Sequence, residues 1–117
     1  MNAEPPVASL AEAWKLAYLD PARARAEAID ALQAVEPDSE TCSWALWLVA
    51  LIDARDADGA DTRELNEAAR SGFARTENAR GLVLVDEVDA MRLRREGDLT
   101  GCARLQAEID LRGSPAD

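Results

Sequence analysis

The sequence predicts an all-α protein in which six helices form three antiparallel hairpins. Its 117 residues include 24 alanines, whereas aromatic residues make up only 4%, a composition typical of closely packed helices. Apolar residues recur at helical spacing between clearly marked breaks. Aspartates placed to cap a helix recur at Asp20, Asp61 and Asp98, at spacings of 41 and 37 residues, as expected for successive hairpins of similar length. A compact helical bundle is the alternative architecture.

The first hairpin is predicted over about residues 7–36. Its first helix spans about residues 7–18, and the apolar face consists of Val7, Leu10, Ala11, Trp14, Ala17 and Tyr18. Asp20 followed by Pro21 predicts the start of the second helix, because an N-cap acceptor precedes a proline at the first helical position. This helix runs to about Val35, since Pro37 ends it. Its apolar face is predicted to consist of Ala24, Ala28, Ala31, Leu32 and Val35.

The second hairpin is predicted over about residues 39–75. Its first helix, residues 39–55, has almost no polar face between Cys42 and Ile52 and should therefore lie at the centre of the molecule. Asp61 is predicted to cap the fourth helix, with Glu64 completing a capping box. The apolar stripe of that helix is predicted to consist of Leu65, Ala68, Ala69, Gly72 and Phe73.

The third hairpin is predicted over about residues 79–112. The fifth helix spans about residues 79–96, and Gly97 and Asp98 separate it from the sixth, residues 99–112. In the sixth helix, the residues predicted to face inward are Leu99, Cys102, Gln106 and Ile109, and those predicted to face water are Arg104, Glu108 and Arg112. Residues 113–117 form a predicted tail or linker, and residues 1–117 make up one domain.

Composition and charge exclude several classes of function. The chain has no histidine and carries 23 acidic against 13 basic residues, a formal charge of −10. Imidazole acid–base chemistry and histidine metal ligands are therefore excluded. We expect neither nucleic acid nor an anionic membrane as a partner, because both attract a basic surface. The amino-terminal sequence lacks the pattern of a secretory signal, so we expect a cytoplasmic protein.

Two motifs resemble nucleotide- or calcium-binding segments, but predicted secondary structure explains each of them better. Residues 81–87 (GLVLVDE) resemble a Walker B strand, but the sequence has no phosphate-binding loop to accompany it, and the apolar spacing continues as a helix. We therefore predict that the chain does not bind ATP or GTP. Residues 56–61 (DADGAD) resemble a calcium loop, but neither possible register places glycine and glutamate correctly. We therefore predict a loop followed by a helix cap.

The remaining candidates for chemistry are carboxylates and cysteines. Asp86 and Asp89 lie three residues apart on a predicted helix and could flank a cation, although helical carboxylates are usually solvated. Cys42 and Cys102 lie 60 residues apart, outside any zinc-binding spacing, and are predicted to be small buried residues. We expect no catalytic residues, no metal site and no cofactor.

Three segments carry a resemblance to a known family. Residues 11–14 (AEAW) resemble the opening of a tetratricopeptide repeat, and residues 20–32 (DPARARAEAIDAL) resemble its second helix, with Ala24 and Ala31 at two small-residue positions. Residues 97–99 (GDL) match its Gly-Asp-aromatic turn with leucine replacing the aromatic residue. The predicted units are longer than the usual repeat of about 34 residues, and Leu65 stands where alanine is expected. The chain is thus similar to the longer, degenerate repeats that precede output domains in bacterial signalling proteins such as diguanylate cyclases.

The resemblance implies a short α-solenoid with a right-handed twist and a non-catalytic role. We expect a protein-interaction scaffold, a regulatory or sensory segment of a bacterial signalling protein. Its partner would be a protein, a peptide or an output domain in the same polypeptide. The alternative is a small helical ligand-binding or enzymatic domain with a pocket between the first, third and fifth helices.

The third helix supplies the candidate partner-binding residues. In a stacked array the first helix of each hairpin lines the concave face, and small residues around one aromatic residue are typical of a shallow groove. On this basis the candidates are Ser43, Trp47, Ala50 and Ala54. Trp47 is expected to be partly open to solvent, whereas Trp44 is expected in the core. The alternative is that both tryptophans are core residues.

Overall fold

Six α-helices and one short 3-10 turn account for the regular structure of the described residues. The computed structural model describes residues 5–56 and 62–112, except for the side chains of Asp56 and Arg112. After the 3-10 turn Ala8–Leu10, the helices are α1 (Ala11–Leu16), α2 (Pro21–Gln33), α3 (Glu40–Asp56), α4 (Thr62–Arg75), α5 (Ala79–Arg95) and α6 (Leu99–Arg112). The predicted all-α fold is confirmed over these residues, and the bounds of α3 to α6 lie within one residue of the predicted ones.

Polar side chains cap four of the helix starts that the structure describes, those of α2, α3, α5 and α6. The side chain of Asp20 accepts a hydrogen bond from the backbone N–H of Arg23 at the start of α2. Asp98 accepts one from the N–H of Gly101 in the same way at the start of α6. Gly97 has a φ of 86°, a left-handed conformation that ends α5 and that glycine adopts without steric cost. The predicted caps at Asp20 and Asp98 are therefore confirmed, and Asp61 lies outside the described residues.

Helix α3 occupies the centre of the molecule, as its sequence predicts. It packs against α2, α4 and α5, and nearly every side chain between Cys42 and Ala54 is buried or half-buried. One hydrophobic cluster joins it to residues of α1, α2, α4 and α5. The three hairpins therefore share a single main core.

Arginine side chains connect successive hairpins in a repeated way. Arg55, in the last turn of α3, donates a hydrogen bond of 2.9 Å to the carbonyl oxygen of Ala17, just after α1. Arg95, in the last turn of α5, donates one of 2.8 Å to the carbonyl oxygen of Ala54 in α3. These bonds satisfy carbonyl groups near helix ends, where fewer partners exist within the helix. Hydrogen bonds of the same kind thus link the first hairpin to the second and the second to the third.

Helix α6 lies at the periphery and packs mainly against one of the described helices. It packs against α5 through a small cluster separate from the main core, with Ala90, Cys102 and Ile109 at its centre. Cys102 and Ile109 are buried as predicted, but Leu99 is 67% exposed, so its predicted inward orientation is wrong. Leu99 is the first residue of α6 and lies beyond the surface that α5 covers.

The first hairpin also departs from its prediction at both helix ends. Helix α1 ends at Leu16, so Tyr18 belongs to the following turn and is 75% exposed. Its aromatic ring lies 4.0 Å from the guanidinium carbon of Arg55. Helix α2 ends at Gln33, before Val35, which is half-buried. Tyr18 therefore does not belong to the predicted apolar face.

No helix in the described residues is both long enough and apolar enough to cross a membrane.

Candidate functional site

An apolar pocket lies between α2 and α4, with α3 as its floor. Its cavity volume is about 390 Å³. The apolar lining residues are Ile29 and Leu32 from α2, Val49 from α3, and Leu65 and Ala68 from α4. Volume and lining both fall within the range of sites that receive a ligand or a partner's side chain.

The pocket exists because α2 and α4 both pack on α3 with space left between them. Val49 is buried beneath that space. Ala68 was predicted to face inward, but it is exposed, and its methyl group forms part of the pocket wall. A larger side chain at position 68 would project into the space that alanine leaves empty.

Arg25 and Glu64 carry the charges that line the pocket. The guanidinium of Arg25 donates two hydrogen bonds to the carboxylate of Asp53 in α3, one of 2.8 Å from Nε and one of 3.1 Å from Nη2. Asp53 is only 5% exposed, so this two-point pair compensates a buried charge. Glu64 is exposed, and it forms no ion pair with another residue in the described part of the chain.

A polar cluster between α4 and α5 accounts for the pair Asp86 and Asp89. The guanidinium of Arg70 donates one hydrogen bond to each of these carboxylates. Asn66 donates through Nδ2 to Asp89 and to the carbonyl oxygen of Val85, at 2.9 Å and 2.8 Å. The two aspartates therefore hold an arginine, and the cluster fastens α4 to α5.

The electrostatics of this cluster favour the paired, charged state. Partial burial by itself would lower the pKa of Arg70, but Asp86, Asp89 and Glu67 together raise it above its ordinary value. A guanidinium that stays protonated and is shared by two carboxylates is a poor proton donor. The arrangement stabilises the fold and offers little for acid–base catalysis.

The segment that resembles a Walker B strand is helical. Residues 81–87 lie within α5, and Asp86 at its end contacts Arg70. This agrees with the helical interpretation of the sequence. Asp56, the first residue of the calcium-like segment 56–61, is the last residue of α3, and residues 57–61 lie outside the described residues.

The four predicted partner-binding residues lie in the interior. Ser43, Trp47, Ala50 and Ala54 are each no more than 3% exposed, so the expectation that Trp47 is partly open to solvent is wrong. The physical reason is that α3 is covered from several sides, which leaves no open small-residue face on it. Partner contact through these residues stays a prediction, and it would require neighbouring helices to separate.

Aromatic rings fill the space around Trp47. Trp14 of α1 stacks on Trp47 with ring centroids 5.9 Å apart. Trp44 meets Trp47 edge-on at 5.5 Å and Phe73 of α4 at 4.8 Å. The indole N–H groups of Trp44 and Trp47 are buried and have no hydrogen-bond acceptor among the described residues. This cluster occupies a region between α1, α3 and α4, and the pocket described above lies instead between α2, α3 and α4.

Both cysteines are free and buried, as the sequence predicts. Burial raises the pKa of the Cys42 thiol, and nearby Arg75 opposes this effect only in part. Such a thiol is a weak nucleophile, since the thiolate is the reactive form.

The sequence did not identify the pocket. Its residues come from three helices, and no short motif contains them. A local signal does exist, because the aliphatic Ile29 and Leu65 stand close in sequence to the charged Arg25 and Glu64. That pattern occurs on most amphipathic helices, so it becomes informative only when α2 and α4 are placed side by side.

Comparisons with family models, with curated proteins and with solved structures found no match to this chain. The resemblance to tetratricopeptide repeats therefore stays a prediction.

Proposed function

We propose that this chain is a non-catalytic protein-interaction module whose pocket between α2, α3 and α4 receives an apolar side chain of a partner. The observation that carries the proposal is the pocket itself, a preformed cavity of about 390 Å³ with an aliphatic lining. In the cell, the module would serve as a regulatory or sensory segment of a signalling protein, as the sequence resemblance implies.

The energetics of the pocket favour an apolar ligand group. Burying apolar surface contributes roughly 25 cal/mol for each Å² removed from water. The walls belong to helices that pack on the main core, so binding costs little reorganisation there. A large apolar side chain held in a preformed pocket is the usual anchor of a protein interface.

The charged residues described above support a binding role. Arg70, Asp86 and Asp89 are engaged with one another, and Arg25 is engaged with Asp53. These groups hold neighbouring helices together. Their geometry favours a rigid scaffold over a catalytic centre.

A small apolar molecule is the second candidate occupant, because the cavity volume also falls in the range of small-molecule sites. This alternative keeps the expectation of a ligand-binding helical domain. It changes the predicted position of the site from the first, third and fifth helices to α2, α3 and α4.

Selection from a random peptide library displayed on phage tests the proposed function. The full chain serves as the target, and recovered peptides are measured by calorimetry against the parent and Ala68→Trp, in which the indole fills the pocket. We expect the substitution to weaken binding by at least about tenfold, about 1.4 kcal/mol. Ala74→Trp is the matched control, since Ala74 is another exposed alanine of α4 that does not line the pocket.

The controls separate loss of binding from loss of folding. Both variants should give the helical circular dichroism of the parent and a similar midpoint of thermal unfolding, because both alanines are exposed. Peptides that bind equally well to the parent and to Ala68→Trp would contradict the proposed pocket, as would a selection that recovers no peptide.

A further inference from the structure

The charges at the pocket indicate which partner it would accept. Arg25 and Glu64 carry charges of opposite sign, and they differ in whether another side chain already binds them. The guanidinium of Arg25 is engaged by two hydrogen bonds to Asp53, a buried carboxylate that would be left uncompensated if Arg25 turned towards a ligand. Arg25 is therefore held to α3 and is poorly placed to bind an anionic partner.

Glu64 keeps its charge available at the pocket. The next carboxylate on the same edge of α4, Glu67, lies 3.4 Å from the guanidinium of Arg70. Glu64 has no comparable ion pair among the described residues. A cation close to an apolar side chain in the pocket would thus meet a carboxylate that no described residue already pairs with.

The charge of the whole chain acts in the same direction. A formal charge of −10 attracts cationic segments and repels acidic ones at distances up to the Debye length, about 8 Å at physiological ionic strength. This long-range effect favours encounter with a basic segment, and Glu64 supplies the local contact.

We infer that the partner is a basic peptide segment in which a bulky aliphatic or aromatic side chain fills the pocket while an adjacent lysine or arginine pairs with Glu64. The inference rests on the proposed function and adds the sign and position of the partner's charge. Specificity would come from this arrangement, because an acidic residue beside the apolar anchor would face Glu64 and be rejected.

Charge reversal on both sides of the contact tests the inference. The peptides recovered by the selection described above are synthesised in two forms, the original and one with the basic residue beside the apolar anchor replaced by glutamate. Each form is measured by calorimetry against the parent chain and against Glu64→Lys. We expect the original peptide to bind about tenfold more weakly to Glu64→Lys, and the reversed peptide to recover most of that loss on the same variant.

Two controls accompany this experiment. Glu12→Lys makes the same charge change at an exposed position on α1, outside the pocket lining, and should alter binding far less than Glu64→Lys. Raising the salt concentration should weaken the original pair more than the peptide in which the basic residue is replaced by glutamine, since exposed ion pairs are screened.

The outcomes distinguish this inference from the proposed function. Peptides that lose binding in Ala68→Trp but carry no basic residue, or are indifferent to Glu64→Lys, would leave the pocket as the binding site and overturn the inference about charge. Equal weakening by Glu12→Lys would also overturn it, because the effect would then be due to net charge alone. Binding that is insensitive to Ala68→Trp would contradict the proposed function itself.

Discussion

At the scale of single residues, Trp44 and Trp47 are equivalent in burial, at 0% and 2% exposed. Truncating either to alanine removes a large side chain from the same aromatic cluster and leaves a cavity. We expect each substitution to lower the free energy of unfolding by about 3–5 kcal/mol, and urea denaturation followed by circular dichroism measures both. Trp14→Ala should cost less, because Trp14 is only half-buried. A much smaller loss for Trp47→Ala than for Trp44→Ala would contradict the equal burial of the two residues and favour the partly exposed Trp47 that the sequence predicts.

The guanidinium of Arg70 pairs with both Asp86 and Asp89. Replacing it with methionine keeps most of the apolar stem but removes the guanidinium that these two largely buried carboxylates share, while Asp89 keeps its longer contact of 3.8 Å with Arg92. We expect Arg70→Met to destabilise the protein by about 3 kcal/mol, the loss typical of breaking a buried ion pair. Arg63→Met, an exposed change on the same helix, should stay within about 0.5 kcal/mol of the parent. Denaturant unfolding at pH 7 compares the two, and equal effects would show that Arg70 contributes no more than a surface arginine.

At the scale of helices, the packing of α6 on α5 brings two carboxylates close enough to repel each other, Glu87 of α5 and Asp110 of α6. Partial burial, and then the carboxylate of Asp110, raise the pKa of Glu87 above its ordinary value. The folded chain therefore binds this proton more tightly than the unfolded chain does. Any stability that protonation of Glu87 provides is present at low pH and is lost as the pH rises through the folded-state pKa.

Replacing Glu87 with glutamine should remove the cost of holding a partly buried negative charge beside Asp110. We expect the variant to be more stable than the parent at pH 7, with the difference shrinking as the pH falls into the range where Glu87 is protonated in both states. Urea denaturation at a series of pH values measures the effect. Glu12→Gln on α1 should leave the pH profile of the parent unchanged, and a Glu87→Gln variant that is less stable than the parent at pH 7 would show that the carboxylate is stabilising.

Helix positions could be predicted from the sequence because their signals are local. Asp20 and Asp98 each bond an N–H three residues ahead, so a few consecutive letters contain the whole interaction. The orientation of a helix face was less predictable. Helix α3 is apolar all round, and a helical wheel cannot decide which side of such a helix is covered. The error at Trp47 follows directly from that ambiguity.

Contacts between segments far apart in the chain could not be predicted from the sequence. The pair of Arg25 with Asp53 spans 28 residues, and the pocket beside it depends on the spacing of two helices that lie on a third. Nothing local in the sequence encodes that spacing. Leu99 shows the same limit, because the amount of α6 that α5 covers depends on where the two helices cross.

At the scale of the whole molecule, the main hydrophobic cluster runs through five of the six helices. We therefore expect residues 1–117 to fold as an independent unit with one cooperative transition. Tryptophan fluorescence, which reports on α1 and α3, should lose its native signal at the same temperature as far-UV circular dichroism. A helical signal that declines without a cooperative melt would contradict this expectation.

The arginine bridges between hairpins determine how the array could be lengthened. Each bridge needs an arginine near the end of one odd-numbered helix and a carbonyl oxygen near the end of the odd-numbered helix before it. The middle hairpin supplies both, Arg55 as donor and the carbonyl of Ala54 as acceptor. The first hairpin carries Tyr18 at the position after Ala17, where the second carries Arg55 after Ala54. An inserted copy of α3–α4 would thus continue the series of bridges, whereas an inserted copy of α1–α2 would interrupt it. The middle hairpin is therefore the unit to repeat in a longer engineered array.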